Sequence, residues 1–274
     1  MPPLSADAHV GRVRLRVADA EGLASFYRDV VGLNVLDSGP VTTLGAGEAP
    51  LLELRGDPDV PERPSDATGL FHLAIRVPSR TALGAALARI DRQWRLSGAS
   101  DHGVSEALYL QDPEGNGVEI YRDRPREAWP TADGQVAMYT EPLDTERLLA
   151  AADSGGVVPE GTDVGHVHLD VSDVDAARRF YADELGLRVR QEFDDEAVFL
   201  AAGDYHHHVG ANTWRGRTAA PAGRGLEWFE VVVPEADIES VREGFRFTRE
   251  TDAGFAVRDP DGIEVRVRPE DAVL

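Results

Sequence analysis

The feature that most constrains this chain is that it repeats itself. Val10-Gly-Arg-Val-Arg-Leu-Arg-Val-Ala-Asp19 matches Val164-Gly-His-Val-His-Leu-Asp-Val-Ser-Asp173, and Ser25-Phe-Tyr-Arg-Asp-Val-Val-Gly-Leu33 matches Arg179-Phe-Tyr-Ala-Asp-Glu-Leu-Gly-Leu187, both at an offset of 154 residues. A single offset kept over a strand pattern and a helix pattern marks a duplicated unit. Two further segments open in the same way, at Phe71–Pro78 and Trp228–Pro234, and each later reaches an Asp-Pro-acid-Gly turn, at Asp112–Gly115 and Asp259–Gly262. The equivalent valines 17, 77, 171 and 233 are spaced by 60, 94 and 62 residues, which gives four modules of one length with an insert after the second.

Each module reads strand, helix, then several strands. Period-2 alternation carries the strands. Asp19 and Asp173 stand at N-cap positions before helices that carry the Phe-Tyr pairs 26–27 and 180–181, which are expected to be helix-to-sheet core. A βαβββ module leaves open sheet edges, so modules must pair. The expected class is α+β, four βαβββ modules forming two paired-module barrels. The expected divisions are an N-terminal domain at 1–124, a Pro- and Gly-containing linker with a short helix at 125–162, and a C-terminal domain at 163–274.

Alternation also sorts the polar residues. Leu73, Ile75 and Val77 form one face of their strand and leave His72 on the other. Val167, Leu169 and Val171 likewise leave His166, His168 and Asp170, and Val118 and Ile120 leave Glu119. If the aliphatic faces pack under the helices, the polar faces line a cup. Two histidines and one carboxylate on one side of a metal leave positions open for substrate and oxygen. His72, His166 and Glu119 are therefore the candidate ligands. This donor set suits Fe(II), and Mn(II) as well. His9 and His168 are expected to be ordinary polar residues, Glu264 a solvated strand carboxylate, and Trp214 and Trp228 either core or the wall of an aromatic pocket.

From His102 the chain reads His-Gly-Val-Ser-Glu-Ala-Leu-Tyr-Leu-Gln-Asp-Pro-Glu-Gly-Asn-Gly-Val-Glu119. With the four modules, this stretch resembles the vicinal oxygen chelate superfamily of glyoxalase I, bleomycin-resistance proteins and extradiol dioxygenases, over about Val10 to Arg268. Tyr205-His-His-His-Val-Gly-Ala-Asn-Thr-Trp214 looks like the catechol 2,3-dioxygenase-like two-domain branch. The resemblance implies O2-dependent, extradiol opening of a catechol-type aromatic at a mononuclear non-haem Fe(II) bound by Glu119. It implies that His102 and Tyr109 hydrogen-bond substrate oxygens and that a histidine of the triple is the acid–base group or, as the second choice, a fourth ligand. Alternation puts His206 and His208 on one face, and the resemblance to glyoxalase I, whose matching strand carries a metal-binding carboxylate, implies His208, with His206 the other choice. Ser100, two residues before the histidine, departs from the signature.

A larger departure is that the two-domain dioxygenases carry this signature in the fourth module, which here has no histidine. Trp228 replaces the equivalent of His72 and Ala256 that of Tyr109, while Arg12 in the first module replaces the equivalent of His166. The second and third modules alone hold the needed groups, so they are expected to share the working cup. A glyoxalase-type metal-dependent lyase or isomerase and a metal-free small-molecule binder remain open; His102 and Tyr109 have no task in the latter.

Composition removes other classes. No cysteine occurs among the 274 residues, which excludes thiolate metal sites, disulfides and a cysteine nucleophile. Forty-nine acids against 28 bases, none of them lysine, give a net charge of −21. Such a surface repels nucleic acid and anionic membranes. Acids scattered along the chain without lysine resemble the halophilic proteins of salt-accumulating cytoplasm. The expected partners are a small aromatic diol and O2 in the cytoplasm, and association into a homo-oligomer is left open.

Overall fold

The computed structural model describes residues 2–132, 135–152 and 155–270. Residues 133–134 and 153–154 of the expected linker and 271–274 of the expected C-terminal domain lie outside the described residues. The architecture is α+β, four βαβββ modules forming two paired-module barrels. The first module comprises β1 (His9–Val17), α1 (Ala20–Phe26), β2 (Asn34–Ser38), β3 (Val41–Ala46) and β4 (Ala49–Gly56). The second comprises β5 (Gly69–Arg76), α2 (Arg80–Gln93), β6 (Gly98–Asp101), β7 (Ser105–Gln111) and β8 (Gly117–Asp123). The insert holds the short strands β9 (Thr131–Ala132), β10 (Gln135–Val136) and β11 (Glu141–Pro142) and the helix α3 (Thr145–Leu149). The third comprises β12 (Asp163–Asp170), α4 (Val174–Arg178), β13 (Arg188–Phe193), β14 (Ala197–Ala201) and β15 (Val209–Asn212). The fourth comprises β16 (Gly225–Val233), α5 (Ile238–Glu243), β17 (Arg249–Thr251), β18 (Gly254–Arg258) and β19 (Glu264–Pro269).

The chain divides into two compact units, one of Met1–Arg14, Pro61–Phe71 and Gly165–Leu274, the other of Leu15–Val60 and His72–Val164. The latter contains the strand runs β11-β6-β7-β8-β5 and β4-β3-β2. The former contains β12-β15-β14-β13 and β17-β18-β19-β16. In the last three modules the opening strand pairs in parallel with the closing one, at β5 with β8, β12 with β15 and β16 with β19. A parallel pair needs a crossover, and the helix and intervening strands supply it.

The aliphatic faces go inside as alternation requires: Leu73, Ile75, Val167, Leu169, Val118 and Ile120 are buried. The helices start at the expected caps. Asp19 accepts from the Gly22 amide at 2.9 Å and Asp173 from the Ala176 amide at 2.8 Å, each closing one orphan donor of the first turn. Both helices then widen into a π-helical turn, at Tyr27–Val31 and Arg179–Glu184. A glycine with φ near +90° ends the segment in each case, Gly32 at 96° and Gly186 at 92°, a conformation that a side chain would strain.

The Phe-Tyr pairs are core as expected, and the two tyrosines also carry a polar bond. Each is fully buried, and each hydroxyl donates to the aspartate of an Asp-Pro-acid-Gly turn, Tyr27 to Asp112 at 3.1 Å and Tyr181 to Asp259 at 3.0 Å. A buried phenol needs such an acceptor. The same turns reach back to the helix starts. Glu114 accepts from the Ala18 and Asp19 amides, and Asp261 from the Ser172 amide. The repeated turn therefore locks two modules of each unit together. Among the described residues no helix is long and apolar enough to cross a membrane.

Candidate metal centre

β5 and β8 run side by side with Leu73 opposite Val118 and Ala74 opposite Glu119, so His72 and Glu119 project from neighbouring strands on one face. His72 Nε2 stands 2.9 Å from Glu119 Oε2, with both side chains buried. β7 is antiparallel to β8 and sets Tyr109 directly opposite Glu119. The Tyr109 hydroxyl lies 2.7 Å from His102 Nε2, and its ring centroid is 5.7 Å from that of His72. Burial, followed by the charge of Glu119, pushes the Tyr109 pKa well above the ordinary 10, so the residue is a neutral hydroxyl.

The His102 ring is oriented from its other side. Nδ1 lies 2.8 Å from the Tyr139 carbonyl oxygen. A carbonyl only accepts, so this bond places the imidazole proton on Nδ1 and leaves Nε2 of the neutral ring as an acceptor facing Tyr109. The segment around Tyr139, part of the expected linker, is thus a support for the site.

On the other unit His166 projects from β12 and is 2% exposed. The ring centroids of His207 and His206 lie 4.1 and 6.3 Å from it, and the two neighbours approach Nδ1 to Nδ1 at 2.8 Å. The His208 ring stacks on Tyr205 at 4.7 Å, and its Nδ1 accepts the Ala202 amide at 3.1 Å. The triple precedes β15: residues 203–208 form a turn and bends, and only an extended backbone sends neighbours to opposite faces, so a period of two does not sort the three rings.

His168, as expected, is a satisfied polar residue. Its Nε2 lies 3.0 Å from Asn212 Nδ2, and it is packed among Phe71, Phe199 and Trp214 with ring centroids 5.0 to 5.4 Å away. A Cβ on Gly210 would meet this ring at 2.9 Å, so the glycine opposite makes the room for it. Trp214 is 48% exposed and belongs to this aromatic wall, whereas Trp228 is fully buried core.

Within one unit His72 and Glu119 offer two buried ligand atoms 2.9 Å apart. Cis ligands about 2.1 Å from one ion stand about 3 Å apart, close to that separation. Buried imidazoles with one carboxylate are a donor set for a divalent first-row metal with positions left open, so these residue types fit such an ion. No second group of this kind occurs among the described residues. On β16 and β19 the carboxylates are held in ion pairs instead: Glu230 with Arg12 and Arg268, and Glu264 with Arg249 and Arg266. Glu264 is only 8% exposed, so it is a buried, paired carboxylate and not the solvated one expected.

A family model described as the Glyoxalase/Bleomycin resistance protein/Dioxygenase superfamily matches residues 9–120 and 163–267. The chain is 39% identical over 277 residues to a protein of Bacillus subtilis (strain 168) named catechol-2,3-dioxygenase, covering 95% of this chain and 96% of that one. Among solved structures it resembles a putative dioxygenase from Bacillus subtilis, with a TM-score of 0.66 at 13% identity over 98% of this chain and 86% of the other. It also resembles glyoxalase I from Zea mays, with a TM-score of 0.61 at 17% identity over 96% and 92%. At those identities the two structures speak for the fold.

Proposed function

Because this chain belongs to the Glyoxalase/Bleomycin resistance protein/Dioxygenase superfamily, we propose that it is an extradiol dioxygenase that opens a catechol-type diol with O2. In this reading His72, Glu119 and His166 hold one Fe(II), and the observation that carries it is the buried His72–Glu119 pair, 2.9 Å apart, with Tyr109 set opposite Glu119 on the neighbouring strand. The ion supplies Lewis acidity toward the two diol oxygens and a redox-active centre for O2.

The chain's own residues supply orientation and proton handling. Tyr109 presents a neutral hydroxyl beside Glu119, where it can hydrogen-bond a substrate oxygen. His102 stands behind it with Nε2 ready to accept, so a proton lost by the diol can pass through the Tyr109 hydroxyl to His102 Nε2. His207, close against His166, is the acid–base group in place of His208. Phe71, His168 and Trp214 offer an apolar wall for a flat ring. A glyoxalase-type reading leaves the ordered Tyr109–His102 pair without a task.

The test is anaerobic loading with Fe(II), addition of catechols and admission of O2. One ring-fission product per O2 consumed, with its visible absorbance, is expected. A protein that binds the metal but cleaves no member of a broad diol panel is not a dioxygenase of this kind.

A further inference from the structure

His102 sits in the turn between β6 and β7, and that turn is anchored from within its own hairpin. The His102 amide donates to the Ser105 carbonyl at 2.9 Å, and the Gly103 amide donates to Asp101 Oδ1 at 2.9 Å. Asp101 Oδ2 accepts from Arg124 Nη2, and the Arg124 amide returns to the Val104 carbonyl at 2.8 Å. These bonds fix the backbone that carries the imidazole. None of them reaches the ring.

The ring is held by a different piece of chain. β11 pairs antiparallel with β6, Glu141 opposite Asp101 and Pro142 opposite Ser100, which lays residues 139 and 140 alongside His102. The Tyr139 carbonyl meets Nδ1 at 2.8 Å, and the Thr140 hydroxyl stands 3.3 Å from the same nitrogen. The attachment is light. β11 is two exposed residues long, and Pro142 has no amide to donate. The flanking backbone bonds are long, from the Tyr139 amide to His102 at 3.4 Å and from the Leu143 amide to Ala99 at 3.3 Å. What seats this segment is a side-chain contact. A Cβ on Gly103 would meet Tyr139 Cε1 at 2.6 Å and Pro130 Cγ at 2.7 Å, so both rings lie directly on the glycine. Gly103 also has a φ of 75°, a second reason for a residue without a side chain here.

We propose that residues 139–142 are a strap that sets the tautomer of His102, and that Gly103 and the Tyr139 ring are the positioning residues that seat it. The inference rests on the proton-accepting role given to His102 in the ring-opening reading and adds what controls that role. With the strap seated, Nδ1 carries the proton and the Tyr109 hydroxyl donates to Nε2. With the strap lifted, Nδ1 faces water, which donates as readily as it accepts, and the ring is free to carry its proton on Nε2. Nε2 then donates to the Tyr109 oxygen and cannot take a proton from it. The direction of one hydrogen bond is reversed and the relay stops, although every residue of the site is still in place. An imidazole held in the wrong tautomer is a costly fault in acid–base catalysis even where its position is unchanged.

Two measurements test it. The first is 15N NMR of the metal-free protein with labelled histidine, at a pH where the imidazole is neutral, with the His102 signals assigned through His102→Gln. The wild type is expected to show a protonated Nδ1 and a bare Nε2. Gly103→Ala and Tyr139→Ala are expected to move the ring toward the Nε2–H form, and Tyr139→Phe, which keeps a ring on the glycine, to match the wild type. Tyr139→Ala leaves the backbone of Gly103 alone, so it separates a lifted strap from a strained turn. The second is catechol turnover by the Fe(II)-loaded protein. Both variants should lose about 10-fold in kcat with KM within about 2-fold, and neither should add to the loss caused by His102→Gln. Tautomer shifts in a protein that cleaves no diol would keep the strap and remove the ring-opening reading. A wild type protonated on Nε2, a ring that stays protonated on Nδ1 in both variants, or losses that multiply with His102→Gln each overturn the strap.

Discussion

The hydroxyl of Tyr181 donates to the buried carboxyl of Asp259 at 3.0 Å, and the same bond recurs in the first half of the repeat as Tyr27 to Asp112. Burial raises both carboxyl pKa values against the opposing pull of their hydrogen bonds, and that of Asp259 reaches about 6 from an ordinary 3.8. The folded state thus favours the protonated carboxyl more than the unfolded chain does. Its contribution to stability is complete below about pH 3.8 and is lost as pH rises through about 6, amounting to ~3 kcal/mol for a shift of about two units. Asp259→Asn cannot ionise and keeps a carbonyl for the Ile263 and Asp261 amides. Relative to the wild type it should gain stability between pH 4 and pH 7 in urea unfolding. A difference between the two proteins that is constant with pH contradicts this account.

Much of the architecture was legible because it rests on local rules. Alternation put His72, His166 and Glu119 on polar faces, and the caps at Asp19 and Asp173 marked helix starts. What escaped depends on partners distant in sequence. Asp112 reads as a turn residue until Tyr27 is seen bonded to it, and nothing in Pro61–Phe71 announces that Arg63 meets Asp170. The triple histidine resists such a reading for a backbone reason, since a period of two does not hold for residues that are not a strand.

Metal binding should be visible as stability. A ligand that binds only the folded protein at 100 times its Kd adds about 2.7 kcal/mol. Fe(II) under anaerobic conditions, or Mn(II), should therefore raise the Tm of the wild type, and EDTA should reverse it. Glu119→Gln, with no anionic oxygen left among the three ligands, should lose the shift while keeping its apo Tm within a few degrees. A wild type whose Tm ignores both ions refutes the assigned centre.

The Tyr109–His102 pair calls for a different readout. Tyr109→Phe removes the hydroxyl that links His102 Nε2 to the Glu119 side, and should cost about 10²-fold in kcat. His102→Gln should cost a similar factor, and the double variant little more, because the two act in series. Metal stoichiometry should stay at one in all three. Multiplicative losses in the double variant indicate that the residues work independently.

His207 and His208 are neighbours with opposite assignments, so exchanging the same substitution between them discriminates sharply. His207→Gln takes away the imidazole beside His166 and should lower kcat by about 10²-fold with Tm nearly unchanged. His208→Gln takes away the acceptor of the Ala202 amide and the stack on Tyr205, at a cost of about 1 kcal/mol in stability, and should leave kcat within a few-fold. Steady-state rates and thermal melts of the two variants decide it. If the larger kcat loss falls on His208, its ring must turn inward when substrate binds, and the geometry here does not describe the working state.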